Sequence, residues 1–306
     1  MLVRGRRASS FGTERRVIAI VVITHNRLQL LQRCVEDVLG RTSEKTKEIV
    51  IWDNASVDGT CEYLDALREP RVRVVLHPEN IGMNAYARAI AQTSQEYLVE
   101  LDDDVVEAPP RWDETLLDAF LRIPRTGYLA ANLVDDPNDS ASQYLKYLRE
   151  ERSAYTRREV DGIALLEGPT GGSCTLTSRE LYERVGGFGQ KPGSVYWRED
   201  ARYVREIERL GYRSAVLEDL RVWHAGSPYY SNTAPAKNAF HVRQARIKAR
   251  KDFAKRLLLR TPFVAGLNAR YRWFEPPHTY VPPRFGSSGM QSLRPDDQDR
   301  ELGPAP

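Results

Sequence analysis

The chain has 306 residues, and 41% of them are hydrophobic, which is enough for a packed core and argues against wholesale disorder. Its formal net charge is only +3, so overall charge does not indicate a class of partner. The three cysteines lie far apart, with no paired spacing, at Cys34, Cys61 and Cys174. This pattern argues against a disulfide framework or a zinc site and is typical of a reducing compartment.

The N-terminal residues 1–16 are basic and polar, and no apolar run precedes Val17. We therefore expect a disordered arm without a secretory signal. The apolar run at 17–23 is much shorter than the roughly 20 residues that span a bilayer. The sequence thus predicts a cytoplasmic protein, and peripheral contact with the inner face of the membrane stays open.

Strands and helices alternate in the first part of the chain. The β-branched run at 17–23 is typical of a strand buried on both faces, as in parallel sheets covered by helices. Such alternation indicates right-handed βαβ units around a mostly parallel sheet. The predicted strands are 17–23, 48–52, 72–76 and 97–101, and the predicted helices are 27–39, a short one ending at Leu67, and 83–92.

The regular alternation ends after a predicted helix at 111–121. The polar stretch 135–161 lacks a clear period and is predicted as a loop with one helix at 142–151. Ser178 is the predicted N-cap of a helix. The remaining predicted strands are 127–134, 163–167, 174–177, 214–217 and 221–223, and the remaining helices are 178–185 and 198–210.

Polar clusters follow each of the four strands of the first part. In open α/β sheets, ligands bind outside the carboxyl ends of the strands, so these clusters should converge on one edge. They are 24–27 after the first strand, 53–54 after the second, 80–82 after the third and 102–104 after the fourth.

The acidic run Asp102-Asp103-Asp104 is the most informative of these clusters. Adjacent carboxylates repel each other and are stable together mainly around a cation. Carboxylate oxygens suit Mg²⁺ or Mn²⁺, and Mg²⁺ is often shared with substrate phosphates. A solvated acidic turn is the alternative. Because side chains alternate along a strand, Asp103 is expected to face away from the other two.

Three further positions have both a structural and a chemical interpretation. Asp53 is suited to accept the imide N–H of uracil or thymine, or to form an Asx turn. Glu199-Asp200 opens a helix, where the pair either supports the helix dipole or supplies a general base. His224 ends a late strand and is either a core histidine or a third metal ligand.

Taken together, the motifs resemble family 2 glycosyltransferases, which have a GT-A fold. The resemblance covers about residues 17–230. The matching segments are 22–27 (VITHNR), 51–60 (IWDNASVDGT), 80–85 (NIGMNA), 101–105 (LDDDV), 171–179 (GGSCTLTSR), 185–188 (VGGF), 199–200 (ED), 211–212 (GY) and 222–224 (VWH).

The resemblance implies a nucleotide-sugar site with a divalent metal, Mn²⁺ or Mg²⁺. Asp104, Asp102 and His224 would hold the metal, Asp200 would be the catalytic base, and Glu199 would support it or bind acceptor. The residues expected to contact the nucleotide sugar are Thr24, Asn26 and Arg27 along the nucleotide, Asp53 at the base, Asn80 and Gly82 at the ribose, and Asp102 and Asp103 from the acidic run.

The resulting expectation is a metal-dependent glycosyltransferase that acts with inversion. UDP- or dTDP-sugars are the favoured donors, with GDP-sugars open, and the acceptor is a glycan, a lipid-linked glycan or a small molecule. One alternative is a nucleotidyltransferase, although the 24–27 segment lacks its glycine-rich phosphate loop. A non-catalytic nucleotide-sugar-binding module is the other.

A basic segment closes the chain. Residues 237–272 contain eleven Lys or Arg and one acid, Asp252. We interpret it as a helical extension, either a solvated helix or a patch for an anionic membrane surface, but not for nucleic acid. The expected division is a disordered arm at 1–16, a nucleotide-sugar half at 17–125, an acceptor and catalytic half at 126–235, a basic helical extension at 236–273 and a flexible tail at 274–306.

Overall fold

The computed structural model describes residues 16–134, residues 155–225 and scattered positions between 243 and 267. The chain divides into two compact units, Met1–Phe240 and His241–Pro306. In the second unit, the described positions from 243 to 259 are helical. Almost all of the predicted N-terminal arm, the predicted helix at 142–151 and the predicted tail lie outside the described residues. No helix in the described parts combines the length and the apolar character that crossing a membrane requires.

The first part of the first unit has the predicted alternation of strands and helices. The strands extend up to two residues beyond the predicted apolar runs, because their polar ends also pair within the sheet. The elements are β1 (Ile18–Thr24), α1 (Leu28–Arg41), β2 (Thr46–Asn54), α2 (Thr60–Ala66), β3 (Val72–His77), α3 (Asn84–Ile90) and β4 (Tyr97–Asp102).

The later elements include two strands that the sequence did not predict, β5 and β7. The later elements are β5 (Val105–Glu107), α4 (Trp112–Arg122), β6 (Thr126–Val134), β7 (Thr156–Val160), β8 (Ile163–Glu167), β9 (Cys174–Ser178), α5 (Arg179–Arg184), α6 (Glu199–Arg209) and β10 (Arg213–His224).

The loop prediction was therefore wrong for β7. Its side chains are mostly charged and exposed, so no hydrophobic period marks it, and it forms a hairpin with β8 through Asp161-Gly162. The two late strands predicted at 214–217 and 221–223 are one strand, β10, with a shift of register between Leu217 and Arg221.

The described strands form one ten-stranded mixed sheet, which is mostly parallel in its first half. The order along the sheet is β3-β2-β1-β4-β9-β6-β10-β8-β7, and β5 pairs with β10. β1, β2, β3 and β4 run parallel, so their carboxyl ends lie along one edge. β9 runs antiparallel between β4 and β6 and joins the two halves of the sheet.

Helices cover both faces of this sheet. Alternate residues of β1 pack into two separate cores: Ile18, Ile20 and Val22 on one face, and Ala19 and Val21 on the other. The first core includes apolar side chains of α1 and α4, whereas the second includes those of α3 and α6 together with a cluster of aromatic rings. Burial on both faces is the reason that the strand sequence is continuously apolar.

Asp113 fixes the entry of the chain into β2. It is fully buried, and its carboxylate accepts hydrogen bonds from the Ser43 amide and hydroxyl (both 2.8 Å) and from the Thr46 hydroxyl (2.7 Å).

We expect Asp113→Ala to lower the free energy of unfolding by about 2–4 kcal/mol, because three buried donors lose their acceptor. Urea denaturation measures this change. Asp118→Ala, an exposed position on the same helix, is the control and should change stability by less than about 0.5 kcal/mol; equal losses would contradict this role of Asp113.

Candidate active site

The ends of three parallel strands border one cavity. Thr24 of β1 pairs in register with Asp53 of β2, and Ile23 pairs with Asp102 of β4. The cavity has a volume of about 510 Å³, and the segments 169–173 and 195–201 form much of the rest of its wall. The carboxyl edge of the sheet therefore carries the site, as the βαβ topology predicts.

The acidic run splits into two sides. Asp103 accepts hydrogen bonds from the Thr24 hydroxyl (2.8 Å) and from the Arg27 guanidinium. Asp104 accepts a hydrogen bond from the other terminal nitrogen of Arg27 at 2.9 Å. His224 Nε2 lies 3.1 Å from Asp104 Oδ1 and 3.5 Å from Asp102 Oδ2. The structure thus brings Asp102 and Asp104 together with His224, and Asp103 faces Thr24.

The cluster of Asp102, Asp104 and His224 fits a divalent metal. One ligand atom from each residue lies within 4.8 Å of the others. Asp104 Oδ1 and both ring nitrogens of His224 are buried, and apart from the contacts of His224 with Asp104 and Asp102 they have no hydrogen-bond partner in the described part of the chain. Two carboxylates and an imidazole are suitable ligands for Mn²⁺, and carboxylates also suit Mg²⁺.

Burial and the neighbouring charges separate the protonation behaviour of these groups. Burial raises the pKa of Asp103 to about 7, against the opposing effect of Arg27. Burial also disfavours ionisation of Asp104, but His224 and Arg27 outweigh it and hold the pKa of this carboxyl below its ordinary value. Burial likewise disfavours the charged form of His224, yet Asp104 and Asp102 raise its pKa to about 10. The surroundings of Asp104, which itself does not border the cavity, therefore favour a cation beside it.

Asp53 is buried and has two different oxygens. Oδ2 accepts a hydrogen bond from the Ser56 amide at 3.0 Å, as in an Asx-type turn, whereas Oδ1 is buried and has no hydrogen-bond partner among the residues that the structure describes. Asp53 does not border the cavity, but its neighbour Asn54 does. The turn interpretation and a free acceptor atom are thus both present in one side chain.

Asn26 has a left-handed backbone with φ of 53° and holds the loop after β2. Its amide donates to Ser56 Oγ at 2.8 Å, and its Oδ1 accepts from the Val57 amide at 2.7 Å. Unlike its neighbours His25 and Arg27, Asn26 does not border the cavity. Its contacts therefore serve to shape the loop at the nucleotide end of the predicted site.

Asn80 and Gly82 both border the cavity. Asn80 Oδ1 accepts a hydrogen bond from the Gly82 amide at 2.9 Å. Gly82 has φ of +57°, and a Cβ there would lie 1.5 Å from the carbonyl oxygen of Val195. A side chain is thus excluded at this position, because the Val195 backbone lies directly against the Gly82 backbone.

Glu199 and Asp200 are the first two residues of α6, and both border the cavity. Glu199 is 4% exposed, and its Oε2 has no hydrogen-bond partner among the described residues. Burial raises the pKa of both carboxyls above their ordinary values. Two neighbouring carboxyls with raised pKa values thus border this part of the cavity.

Several side chains that border the cavity were not predicted from the sequence, and Trp197 and Glu100 are two of them. Trp197 lies in the segment 195–201, and its Nε1 is buried without a partner in the described chain. Glu100 lies in the middle of β4. The available signal for Glu100 was a single charged residue inside an otherwise apolar buried strand.

The fold and the site together define a class of protein. A mostly parallel sheet with an acidic run at the end of β4, joined there by a histidine, is the arrangement of GT-A glycosyltransferases. The sequence profile described as "Glycosyl transferase family 2" matches residues 19–186, which is more than half of the chain. The chain therefore belongs to glycosyltransferase family 2, as the motifs indicated.

Individual relatives are distant. An N-acetylglucosaminyl-diphospho-decaprenol L-rhamnosyltransferase of Mycobacterium tuberculosis is 26% identical over 238 residues, covering 68% of this chain and 76% of the relative. An uncharacterized protein of Sinorhizobium fredii is 22% identical over 259 residues, or 78% of this chain; the match spans only 27% of that protein.

A mannosyltransferase of Pyrobaculum calidifontis, solved with GDP-Man and Mn²⁺, has a similar structure. The TM-score is 0.53, with 24% identity over 76% of this chain and 62% of the neighbour. This likeness supports the GT-A fold that the sequence motifs implied.

The two sides of the acidic run should respond differently to loss of a charge. We expect Asp104→Asn to weaken Mn²⁺ binding at least about tenfold, because it removes a ligand from the cluster with His224. Asp103→Asn is the matched control and should change Mn²⁺ affinity by less than about threefold, since Asp103 faces Thr24. The electron paramagnetic resonance signal of free Mn²⁺ measures both. Equal loss in the two variants would show that the cluster is not the metal site.

Proposed function

We propose that this protein transfers a sugar from a nucleoside-diphosphate sugar to an acceptor hydroxyl, in a reaction that requires a divalent metal. The group of Asp102, Asp104 and His224 is called the metal-type cluster below. One observation carries the proposal: the same cavity is bordered by Asp102 of this cluster and by Asp200, a carboxylate suited to act as base. Membership of glycosyltransferase family 2 supports it.

Asp102, Asp104 and His224 would hold the metal, which is Mn²⁺ or Mg²⁺. When bound there, the metal supplies positive charge that offsets the charge developing on the leaving diphosphate. Arg27 adds a fixed positive charge at the same end of the cavity and is itself anchored by Asp103 and Asp104.

Asp200 takes the proton of the acceptor hydroxyl as that oxygen attacks the anomeric carbon. A base works best when its pKa lies near the working pH, and burial moves the pKa of Asp200 upward in that direction. Attack from the face opposite the leaving group inverts the anomeric centre. Glu199, the neighbouring buried carboxyl, supports the base or binds acceptor.

The nucleotide lies along the ends of β1, β2 and β3 in this proposal. Thr24, Arg27, Asn80 and Gly82 border the cavity there. Asn54 borders the cavity at the end of β2, so a base bound there would lie beside Asp53, whose Oδ1 has no hydrogen-bond partner among the described residues. A small movement of this buried side chain would let Oδ1 accept the ring N–H that uracil and thymine offer. We therefore favour UDP- or dTDP-sugars as donors; guanine also has a ring N–H, and the neighbour from P. calidifontis was solved with GDP-Man.

We propose a lipid-linked glycan as the acceptor, held by the part of the chain from 126 to 235, with residues 17–125 holding the donor. Support comes from the printed activity of the M. tuberculosis relative, which names a diphospho-decaprenol acceptor. The segments 169–173 and 195–201 lie within this acceptor half, and they border the same cavity as the strand ends that would hold the donor.

Loss of the proposed base separates transfer from binding. We expect Asp200→Asn to lower kcat about 10²- to 10⁴-fold and to change the Kd of the nucleoside diphosphate by less than about twofold. Release of nucleoside diphosphate from donor measures turnover, and calorimetry measures binding. Asp219→Asn, an exposed position on β10, is the control for the substitution itself. Full turnover in Asp200→Asn would rule out this base, and donor binding without turnover by the wild type would favour a non-catalytic module.

The basic segment is the part of the chain that we propose to contact a membrane surface. Three of its described apolar side chains are well exposed: Phe253 (67%), Leu257 (58%) and Phe263 (74%). They lie among many basic residues, a composition that suits an anionic lipid surface. A membrane-bound enzyme would meet a lipid-linked acceptor in two dimensions.

Vesicle binding tests this contact. We expect the protein to sediment with phosphatidylglycerol vesicles at low salt, to be released by high salt, and to ignore phosphatidylcholine vesicles. Replacing both Phe253 and Leu257 with Ser should weaken binding at least about fivefold, because apolar area leaves the lipid. Val57→Ser, which changes an exposed apolar residue (88%) elsewhere, is the control. Absence of binding to either vesicle would indicate a solvated helix instead.

A further inference from the structure

Glu100 is a buried carboxyl that the proposed transfer does not use. It lies in the middle of β4 and is 3% exposed, while its neighbours Val99 and Leu101 pack into the core on the other face of the sheet. Side chains two residues apart point the same way along a strand, so Glu100 and Asp102 share a face. Glu100 also borders the cavity. It is thus placed deeper in the cavity than Asp102, on the same strand.

The surroundings hold this carboxyl in one position. Tyr128 donates a hydrogen bond to Glu100 Oε2 at 2.5 Å. The ring of Tyr128 is fixed by edge contacts with Tyr203 (5.2 Å) and Phe188 (6.4 Å). A Cβ at Gly172 would lie 2.2 Å from Glu100 Oε1, so the absence of a side chain there leaves room for the carboxyl. An aromatic cluster and a glycine therefore shape a niche for Glu100.

No basic side chain of the described residues pairs with the carboxyl that the niche holds. Within residues 16–134 and 155–225, no lysine or arginine forms an ion pair with Glu100 or with Glu199. Glu199 Oε2 has no partner there either. A buried carboxyl with so few partners is unfavourable for folding alone. A ligand with hydroxyl groups would supply the missing hydrogen bonds.

The position between two functional groups indicates which ligand part this is. A Cβ at Gly171 would lie 3.5 Å from Asp200 Oδ2, and one at the next residue, Gly172, would lie 2.2 Å from Glu100 Oε1, so both carboxyls flank this glycine pair. Asp102 follows Glu100 on the same face of β4. In the proposed reaction, Asp102 belongs to the metal end, where the leaving diphosphate lies, and Asp200 is the base beside the attacking hydroxyl. The sugar being transferred occupies the space between these two ends. A side chain in the wall of that space faces the sugar ring.

We propose that Glu100 hydrogen-bonds a hydroxyl of the transferred sugar and thereby selects the donor. The proposal rests on the proposed function. It defines the substrate class as nucleoside-diphosphate sugars with a free hydroxyl at the position that Glu100 faces, and it disfavours donors that are deoxygenated or acylated there. A carboxyl acceptor discriminates strongly, because a donor without the hydroxyl leaves a buried polar group without its partner.

The first experiment compares donors with their own nucleoside diphosphates. Calorimetry with Mn²⁺ present measures binding of UDP-glucose, UDP-galactose, UDP-N-acetylglucosamine, dTDP-rhamnose and GDP-mannose, each beside the free diphosphate. For the tightest donor, Glu100→Leu should weaken binding about tenfold or more and should change binding of the free diphosphate less than about twofold. Glu100→Gln keeps an acceptor for Tyr128 and should give an intermediate loss for the same donor.

A control variant and donor analogues test whether the contact is direct. Glu48→Leu removes a buried glutamate of β2 that does not border the cavity and that forms an ion pair with Arg73 at 2.8 Å. This variant should bind the donor and the free diphosphate as the wild type does. Among monodeoxy analogues of the tightest donor, one should bind the wild type about tenfold more weakly than the parent donor binds it. The same analogue and the parent donor should bind Glu100→Leu equally well. That loss of discrimination identifies the hydroxyl that Glu100 contacts.

The outcomes separate this inference from the proposed function. Parallel losses of donor and free diphosphate in Glu100→Leu and in Glu100→Gln would show that Glu100 only supports the fold, and the donor-selection role would be overturned while the transfer proposal stands. Unchanged donor binding in both variants would overturn it as well. If the wild type binds no nucleoside diphosphate with Mn²⁺, the proposed function fails, and the role of Glu100 fails with it.

Discussion

The structure depends on neutralising three carboxylates that a buried strand delivers to one point. Asp102, Asp103 and Asp104 would repel each other strongly in a site with little water. Arg27 answers this repulsion with two hydrogen-bonded ion pairs, to Asp103 and Asp104. His224 lies against Asp104 and Asp102 from the other side. Basic side chains just after β1, Arg27, and at the end of β10, His224, thus offset the negative charge at the end of β4.

The sheet topology is what brings His224 across 120 residues of chain. β10 runs parallel to β6 for most of its length and then pairs with the short strand β5, where His224 lies opposite Val105. Because β5 begins directly after Asp104, this pairing sets the imidazole beside the acidic run. The Ala225 amide donates to the Asp104 carbonyl at 2.8 Å and extends the same connection. A strand of three residues thus determines the geometry of the metal-type cluster.

The sequence predicted the features that depend on burial and on strand direction. Mostly apolar runs marked β1 and β4, and parallel connections placed their polar ends together. The prediction failed where neither signal exists: β7 is exposed and charged, and β5 is too short for any period. Alternation along the strand predicted the direction of the Asp103 side chain, but no such signal was available for Asn26 and Asp53. Asn26 and Asp53 belong to the expected segments, yet their hydrogen bonds to the loop at 55–57 keep both from bordering the cavity.

Charge is distributed unevenly along the cavity, and this asymmetry orients the proposed substrate. At one end, Arg27 and the metal that Asp102, Asp104 and His224 would hold supply positive charge. At the other, Glu100, Glu199 and Asp200 are buried carboxyls, and burial raises the pKa of all three toward the neutral form. A nucleoside diphosphate is anionic, so it is attracted to the first end, whereas the carboxyls of the second end suit an uncharged sugar. The sugar then extends toward groups that accept hydrogen bonds and protons, which is the direction that transfer to an acceptor hydroxyl requires.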